Sequence, residues 1–595
     1  LSRSTFFLVG LLALTPVWAL PEALSTVAER SGFQRTGRYD EVPALCQAFA
    51  KQWPDSVRWE TFGHSPEGRP LLAMVVSRSG TLDPAVAQSR GLPVLMVQGG
   101  IHAGEIDGKD AGFWALRDLL EKDDPLLKKV IIVFVPVFNV DGHERFGPWN
   151  RPNQSGPEEM GWRVTSQNLN LNRDYAKADS KEMLAMLGLL KTWDPILYVD
   201  LHATNGAQFQ PDIALLVEPR FVGDTALMPA TRAMQLETID RLRAQGSMPL
   251  DFYPSARDHQ DPSSGFVLGA NTARFSTGYW PLRNRMAMLV ETHSWKDYPI
   301  RVKITRNTIV ALAELTARDG AEWLAAAARA DENAQSLAGQ PVALTFKADE
   351  SKPSTLEFPG YAYQRPDSAI SGAKATIFDP ATPQVWRVPF YDIVMPNLVV
   401  SAPRAGYLVP ASHASWLGEK LTAHGIAFRT LTQGQGSRPL EVFRAQEVKF
   451  SSKPVEGHMT ANVRGAWSTE NHSLPPGSLF VPIDQPKARL LMTLLEPEVP
   501  DSFAGWGFFN AHFEQKEYME EYVAEQVAAD MLATDPDLKA RFEQRLRDDP
   551  EFARDPAARL DFFYRRHPSW DNRWNLYPVM RTQVAPDPKV SHQDG

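Results

Sequence analysis

His102 and Glu105 stand three residues apart in the stretch Gly99-Gly100-Ile101-His102-Ala103-Gly104-Glu105. A neutral imidazole and a carboxylate at that spacing can reach one metal ion, and zinc accepts both ligand types. His202, in Asp200-Leu201-His202, is the candidate third ligand. Two histidines and one glutamate leave a position for water, the pattern of a catalytic site rather than a closed structural one. Zinc held this way lowers the pKa of water to about 7 and polarises a carbonyl. Hydrolysis by such a site also needs a carboxylate that carries the water's proton to the leaving amine. Glu291, at the end of the apolar run Met-Ala-Met-Leu-Val, is the candidate.

Asn172 and Arg173 suggest what is held nearby. A guanidinium presents a planar fork that matches a carboxylate, and its charge does not titrate. With the amide beside it, the pair would grip a free carboxylate such as a peptide's C-terminus. The same residues would equally serve as a cap or as an ion pair with the adjacent Asp174. Arg163, earlier in the same loop, is placed to stabilise an oxyanion on a scissile carbonyl. Loss of one such donor costs roughly a hundredfold or more in rate.

These residues share an address. Pro93 to Gln98, Val130 to Phe138, Ile196 to Leu201 and Met286 to Val290 are short apolar runs that read as buried strands. Between them, Gly108–Leu120, Lys181–Thr192, Leu227–Gln245 and Ile304–Ala328 read as helices, as does Leu24–Trp53 before them. Strands alternating with helices predict an α/β domain. His102, His202 and Glu291 then lie at or just past the carboxyl ends of strands, where open α/β sheets bind ligands. The polar stretch from Gly147 to Asn172 is long for a loop in a compact domain, and such loops are usually functional.

With 595 residues the chain exceeds what one core supports, so more than one domain is expected. A net charge of −9 argues against nucleic acid as the main partner. Cys46 is the only cysteine, which excludes an intramolecular disulfide. Arg3, an apolar run from Phe6 to Trp18 and the small residues of Val17-Trp18-Ala19 predict a secretory signal peptide over 1–19, cleaved after Ala19. The chain is therefore expected to be exported, to the periplasm or beyond the cell, and to retain no membrane span. A catalytic domain over 20–335 and a C-terminal α+β accessory domain over 336–595 complete the expected organisation. Pro341–Pro410 reads as β, Ala414–His424 as helix, Ile426–Leu431 as strand, Gln485–Leu495 as helix. Glu514–Phe563 reads as amphipathic helices interrupted at Pro536, Pro550 and Pro556.

Five motifs occur in order over about residues 35 to 330: His-Ala-Gly-Glu (102–105), Trp-Arg (162–163), Asn-Leu-Asn-Arg-Asp (170–174), Asp-Leu-His (200–202) and Leu-Val-Glu-Thr (289–292). As a set they resemble the zinc carboxypeptidase (funnelin, carboxypeptidase A-like) family of metallopeptidases. The resemblance implies a mixed, eight-stranded twisted sheet with helices on both faces. It implies one zinc ion per chain on His102, Glu105 and His202, Glu291 as general base and acid, and Arg163 at the carbonyl oxygen. It also implies Asn172 and Arg173 at the terminal carboxylate of a peptide substrate. Two departures stand out. The family's serine after the last zinc histidine is Ala203 here. The family's substrate-capping tyrosine has only Tyr279, twelve residues before Glu291, as a counterpart, with Arg283 and Arg285 as alternatives.

An amidase of the same fold, acting on cell-wall peptides or N-acyl amino acids, is the nearest alternative, since its substrates also carry carboxylates. A binding protein on an inactive hydrolase scaffold predicts a missing ligand or base, and none is missing. No Gly-x-Ser-x-Gly elbow and no His-Glu-x-x-His helix motif occurs.

Overall fold

Val-Ile-Ile-Val-Phe-Val (130–135) is apolar in both phases of a two-residue repeat, which suits a strand only if both of its faces are covered. In the computed structural model, which describes residues 22–204 and 206–587, Ile131–Val135 is a strand buried along its whole length. The expected signal segment, 1–19, lies outside the described residues. Among the described residues no helix is long and apolar enough to cross a membrane.

The strands that position the candidate site are β1 (Val57–His64), β2 (Pro70–Val76), β3 (Val94–Gln98), β4 (Ile131–Val135), β5 (Leu197–Ala203), β6 (Ile213–Glu218) and β7 (Pro249–Leu250). A hairpin of β8 (Ala256–Asp258) and β9 (Asp261–Val267) then leaves the sheet, and β10 (Met286–Thr292) returns to its centre. The order is β1-β2-β4-β3-β5-β10-β6-β7, the eight-stranded mixed sheet that was expected. β4, β3, β5 and β10 run parallel, so their carboxyl ends share one edge. β6 runs against β10.

Alternate residues of each strand enter different cores. Leu95, Val97, Val199, Met288 and Val290 pack against Glu41–Gln52, Asp107–Glu121, Met228–Ala244 and Tyr298–Gln335. Met96, Val133, Tyr198 and Ala287 face the helix Lys181–Trp193 and, beyond it, Ala411–Ala423 and Ala488–Leu495 from the C-terminal part of the chain. One apolar core therefore runs from the sheet into residues past 400.

The C-terminal part is built around β. β11 (Pro341–Ala348) pairs with β14 (Val394–Ser401). β12 (Ser354–Gln364) and β13 (Ile377–Tyr391) form a long hairpin joined to β9. β15 (Gly406–Val409), β16 (Arg429–Thr430), β17 (Gln435–Phe450), β18 (Ala461–Leu474), β19 (Leu479–Pro482) and β20 (Leu576–Thr582) make a six-stranded sheet. Helices begin at Pro536, Pro550 and Pro556, each capped by the aspartate before it. Asp-Pro suits a helix start because the side chain accepts a free N–H and proline has none to lose.

Two expectations are corrected. The helix expected over Leu24–Trp53 is split into Val27–Arg30 and Glu41–Gln52, with the chain turning at Gly32 and Phe33, both at positive φ. The strand expected over Ile426–Leu431 shortens to Arg429–Thr430.

Candidate active site

β3 ends at Gln98, and the chain turns through Gly99 and Gly100 before the helix that starts at Asp107. In that turn the Glu105 N–H donates to the His102 carbonyl at 2.9 Å, which brings both side chains to one side. Glycine is required at 104, where a Cβ would meet Arg151 Cγ at 2.5 Å and the Gly161 carbonyl oxygen at 2.8 Å. His202 lies near the end of β5 and is the register partner of Glu291 on β10. Strand pairing therefore sets the ligand and the candidate base side by side.

One ligand atom from each of His102, Glu105 and His202 falls within 4.8 Å of the other two, and all three residues are buried. His102 Nδ1 is 3.0 Å from Glu105 Oε1, and His202 Nδ1 is 2.9 Å from Glu105 Oε2. His102 Nε2 meets Asn170 Oδ1 at 3.1 Å, and that oxygen also accepts the Asn172 N–H at 3.0 Å. An oxygen there makes Nε2 the donor, leaving the lone pair on Nδ1, which has no hydrogen-bond partner. A buried lone pair facing a carboxylate oxygen is unfavourable unless a cation lies between them. The donor set thus fits zinc.

The ring of His202 is backed differently. Its Nε2 is 3.0 Å from Asp200 Oδ2, off the line of an ideal hydrogen bond. Asp200 itself accepts from Gln98 Nε2 at 2.9 Å and from Ser276 Oγ at 2.6 Å. Such partners orient ligating imidazoles and raise their basicity. Burial pushes the His102 imidazole down to about 4, so it is neutral and ready to ligate. Burial alone would raise Glu105, but Arg151 and the two histidines outweigh it and hold its carboxyl well below the usual range.

Arg151 was not singled out from sequence. Its Nη1 donates to Glu105 Oε1 at 2.6 Å and its Nη2 to the Ala203 carbonyl at 3.3 Å. The length of the loop from Gly147 to Asn172 that carries it points to function, and no local pattern separates Arg151 from its other polar residues. Arg163 Nη1 also reaches Glu105 Oε1, at 3.2 Å, with a third of its side chain exposed to the cavity.

Glu291 is 8% exposed and its Oε2 has no partner. Burial raises its carboxyl to about 8, with Glu105 adding to the rise and His202 opposing it. Carboxyls in this range suit proton transfer near neutral pH, and a neighbouring cation draws such values down.

The adjacent Asp174 is not the partner of Arg173. Asp174 is occupied by Lys177 and by the N–H and hydroxyl of Ser180. Arg173 instead lies over the Phe275 ring at 4.5 Å, and its Nη1 donates to the Asn172 carbonyl at 2.7 Å. Among the described residues no carboxylate comes within ion-pair distance of it. Burial, with Arg163 and Arg274 nearby, pulls its pKa down from the ordinary value. Asn172 is buried with Oδ1 unpartnered. Both residues line the same cavity of about 400 Å³ as His102, Glu105, His202, Arg163 and Glu291.

Tyr279 is not brought to this cavity, which corrects its expected substrate-binding place. It ends the short helix Ser276–Tyr279 and is fully buried, its hydroxyl on His424 Nδ1 at 2.9 Å and Arg283 Nη1 at 3.3 Å. The alternatives are also occupied elsewhere: Arg283 bonds the His424 carbonyl at 3.0 Å, and Arg285 pairs with Asp194 and Asp331. The tyrosine that does line the cavity is Tyr253.

Known proteins resemble this chain in sequence. A family model described as zinc carboxypeptidase matches residues 42–211. Carboxypeptidase 2 of Trichophyton equinum is 23% identical over 482 residues, covering 78% of this chain and 82% of that protein. Carboxypeptidase 2 of Trichophyton rubrum is 25% identical over 460 residues, covering 74% of this chain and 78% of that protein. Among solved structures, carboxypeptidase A of Helicoverpa armigera aligns at 16% identity with a TM-score of 0.34, over 49% of this chain and 75% of that one.

Proposed function

We propose, from the premise that this chain belongs to the zinc carboxypeptidase family, that it is an exported enzyme hydrolysing the C-terminal peptide bond of peptides. The observation that carries the reading is that an unpaired guanidinium, Arg173, opens on the same cavity as the metal-ligating set. A free α-carboxylate is the ligand such a guanidinium matches.

In this reading His102, Glu105 and His202 hold one zinc ion, which when bound supplies Lewis-acid polarisation and acidifies water. Arg173 and Asn172 grip the terminal carboxylate, which fixes the last peptide bond over Glu291. Glu291 takes the proton of the attacking water and returns it to the leaving amine. Arg163 turns from Glu105 toward the carbonyl oxygen as negative charge develops there. The catalytic unit spans 20–335 and the accessory unit 336–595. The leader over 1–19 directs the chain to the periplasm or outside the cell.

A peptide library with half its members amidated at the C-terminus tests the proposal, with zinc content verified and products read by mass spectrometry. Loss of single residues from free C-termini alone is the expected result. No cleavage of either half by zinc-loaded enzyme would overturn it and favour the amidase.

A further inference from the structure

On β6 and β10, Leu216 and Leu289 are the only residues of their strands that are not buried. They are register partners across the antiparallel β6–β10 pair. Side chains alternate along a strand, so Leu289 and Glu291 share a face, and register places Leu216 on that face too. Both leucines line the cavity that holds the metal-ligating set. The central sheet thus offers the cavity an apolar floor beside the candidate base.

The walls combine apolar side chains with the neutral polar groups Ser255, Asn271 and Thr277. Val267, Leu268 and Phe275 line the cavity. Val267 is held by pairing with Tyr391 of β13, and the Leu268 N–H donates to the Tyr391 carbonyl at 3.0 Å. The long hairpin from the C-terminal part therefore fixes this wall in place.

The charge inventory is equally specific. Apart from Tyr253, every ionisable side chain lining the cavity is already assigned to the metal, the base, the oxyanion or the clamp. Beyond the lining itself, Asp200 is the register partner of Leu289 on β5. It is fully buried and committed to Gln98, Ser276 and His202. A lysine or arginine side chain entering here would meet no free acid, and an aspartate or glutamate no free base. Neutral hydroxyls do not balance a buried charge.

We propose that the Leu216–Leu289 floor, with walls of Val267, Leu268 and Phe275, makes this site select peptides ending in an apolar aliphatic or aromatic residue and reject basic and acidic ones. The inference rests on the carboxypeptidase reading and adds the substrate class to it.

The test uses the full-length, zinc-loaded enzyme on one peptide sequence ending in Leu, Phe, Met, Lys, Arg, Asp or Glu. Release of Leu, Phe and Met with kcat/KM at least ~100-fold above the charged residues is expected, given the cost of burying an unpaired charge. Release of Lys, Arg, Asp or Glu at comparable or higher rates overturns the floor while leaving the carboxypeptidase reading intact. Failure to release any C-terminal residue, with zinc in place, overturns both. A second arm uses Leu216→Asp, which puts a carboxylate on the floor without touching the metal, base or clamp residues. Phe release is expected to fall and Arg release to rise, reversing the preference. An unchanged preference in the folded, zinc-loaded variant removes Leu216 from the floor.

Discussion

His102, Glu105 and His202 stand at the ends of neighbouring parallel strands, whereas Asn172 and Arg173 stand on a strap, residues 168–180, that no strand pairing holds. Both groups open on one cavity. The metal side is positioned by backbone register and a tight glycine turn within the sheet domain. The strap is braced by side chains from the C-terminal part. Glu456 Oε2 accepts the Asn170 N–H at 2.8 Å. Lys420 Nζ donates to the Lys177 and Ala178 carbonyls at 2.8 and 2.9 Å and to Asp179 at 2.8 Å. His458 meets Asp179 at 2.7 Å, and His424 meets the Ala176 carbonyl at 3.0 Å. The candidate metal ligands and the candidate clamp therefore rest on different stretches of chain. Asn170 touches both, through its side chain to His102 and its N–H to Glu456.

The largest separation of the two sides is expected from Glu291→Gln. Removing the proton carrier should lower kcat by ~10³-fold with zinc content unchanged, since general acid–base groups contribute on that scale. Metal analysis beside turnover checks this, and normal turnover would take Glu291 out of the chemistry. Arg173→Ala should lower kcat/KM by roughly 100-fold on free C-termini, the worth of a charge-assisted pair, with zinc affinity untouched. Equal losses on amidated peptides would mean that the guanidinium grips something else.

On the metal side, Asp200→Asn should weaken zinc binding by roughly 10- to 100-fold, measured by chelator competition. Unaltered affinity would mean that Asp200 does not act on His202. Glu456→Gln acts on the strap alone and should raise KM a few-fold at constant zinc affinity, since the amide oxygen still accepts the Asn170 N–H and only the charge assistance is lost. A matching fall in zinc affinity would show that the brace is transmitted through Asn170 to His102, which would merge the two sides.

The smallest expected effect is on stability. Burial would raise the Asp179 carboxyl, but His458, Lys177 and Lys420 outweigh it and hold it well below the usual carboxylate range. Its folded value lies below its unfolded value, so its stabilising contribution is complete above about pH 4 and is lost as pH falls. Thermal melts from pH 7 to pH 3 should show a steeper acid decline for the parent than for Asp179→Asn. Parallel curves would mean that Asp179 contributes nothing to the brace.

Much of this was legible in order along the chain. Apolar runs followed by turns mark β3, β4, β5 and β10, and they place His102, His202 and Glu291 on one edge because parallel strands expose their carboxyl ends together. β6 was not anticipated, although Ile-Ala-Leu-Leu-Val-Glu (213–218) is apolar enough, and with it Leu216 and the cavity floor were missed. Tyr279 was misplaced because distance along the chain says nothing about which way a short helix turns its side chains. Here the tyrosine points toward His424, more than a hundred residues later. Arg151 carries no local signature, since its partner Glu105 is 46 positions away.

The sequence by itself determined the chemistry on offer and the edge where it gathers, because residue type sets ligand and proton affinity and strand periodicity is local. Only the tertiary structure decided which polar groups stay unpaired and which are spent. Arg173 is unpaired because Lys177 and Ser180 fold back onto Asp174, and Asp200 is spent because Gln98 and Ser276 converge on it. Pairing depends on approach in space, which no spacing along the chain records.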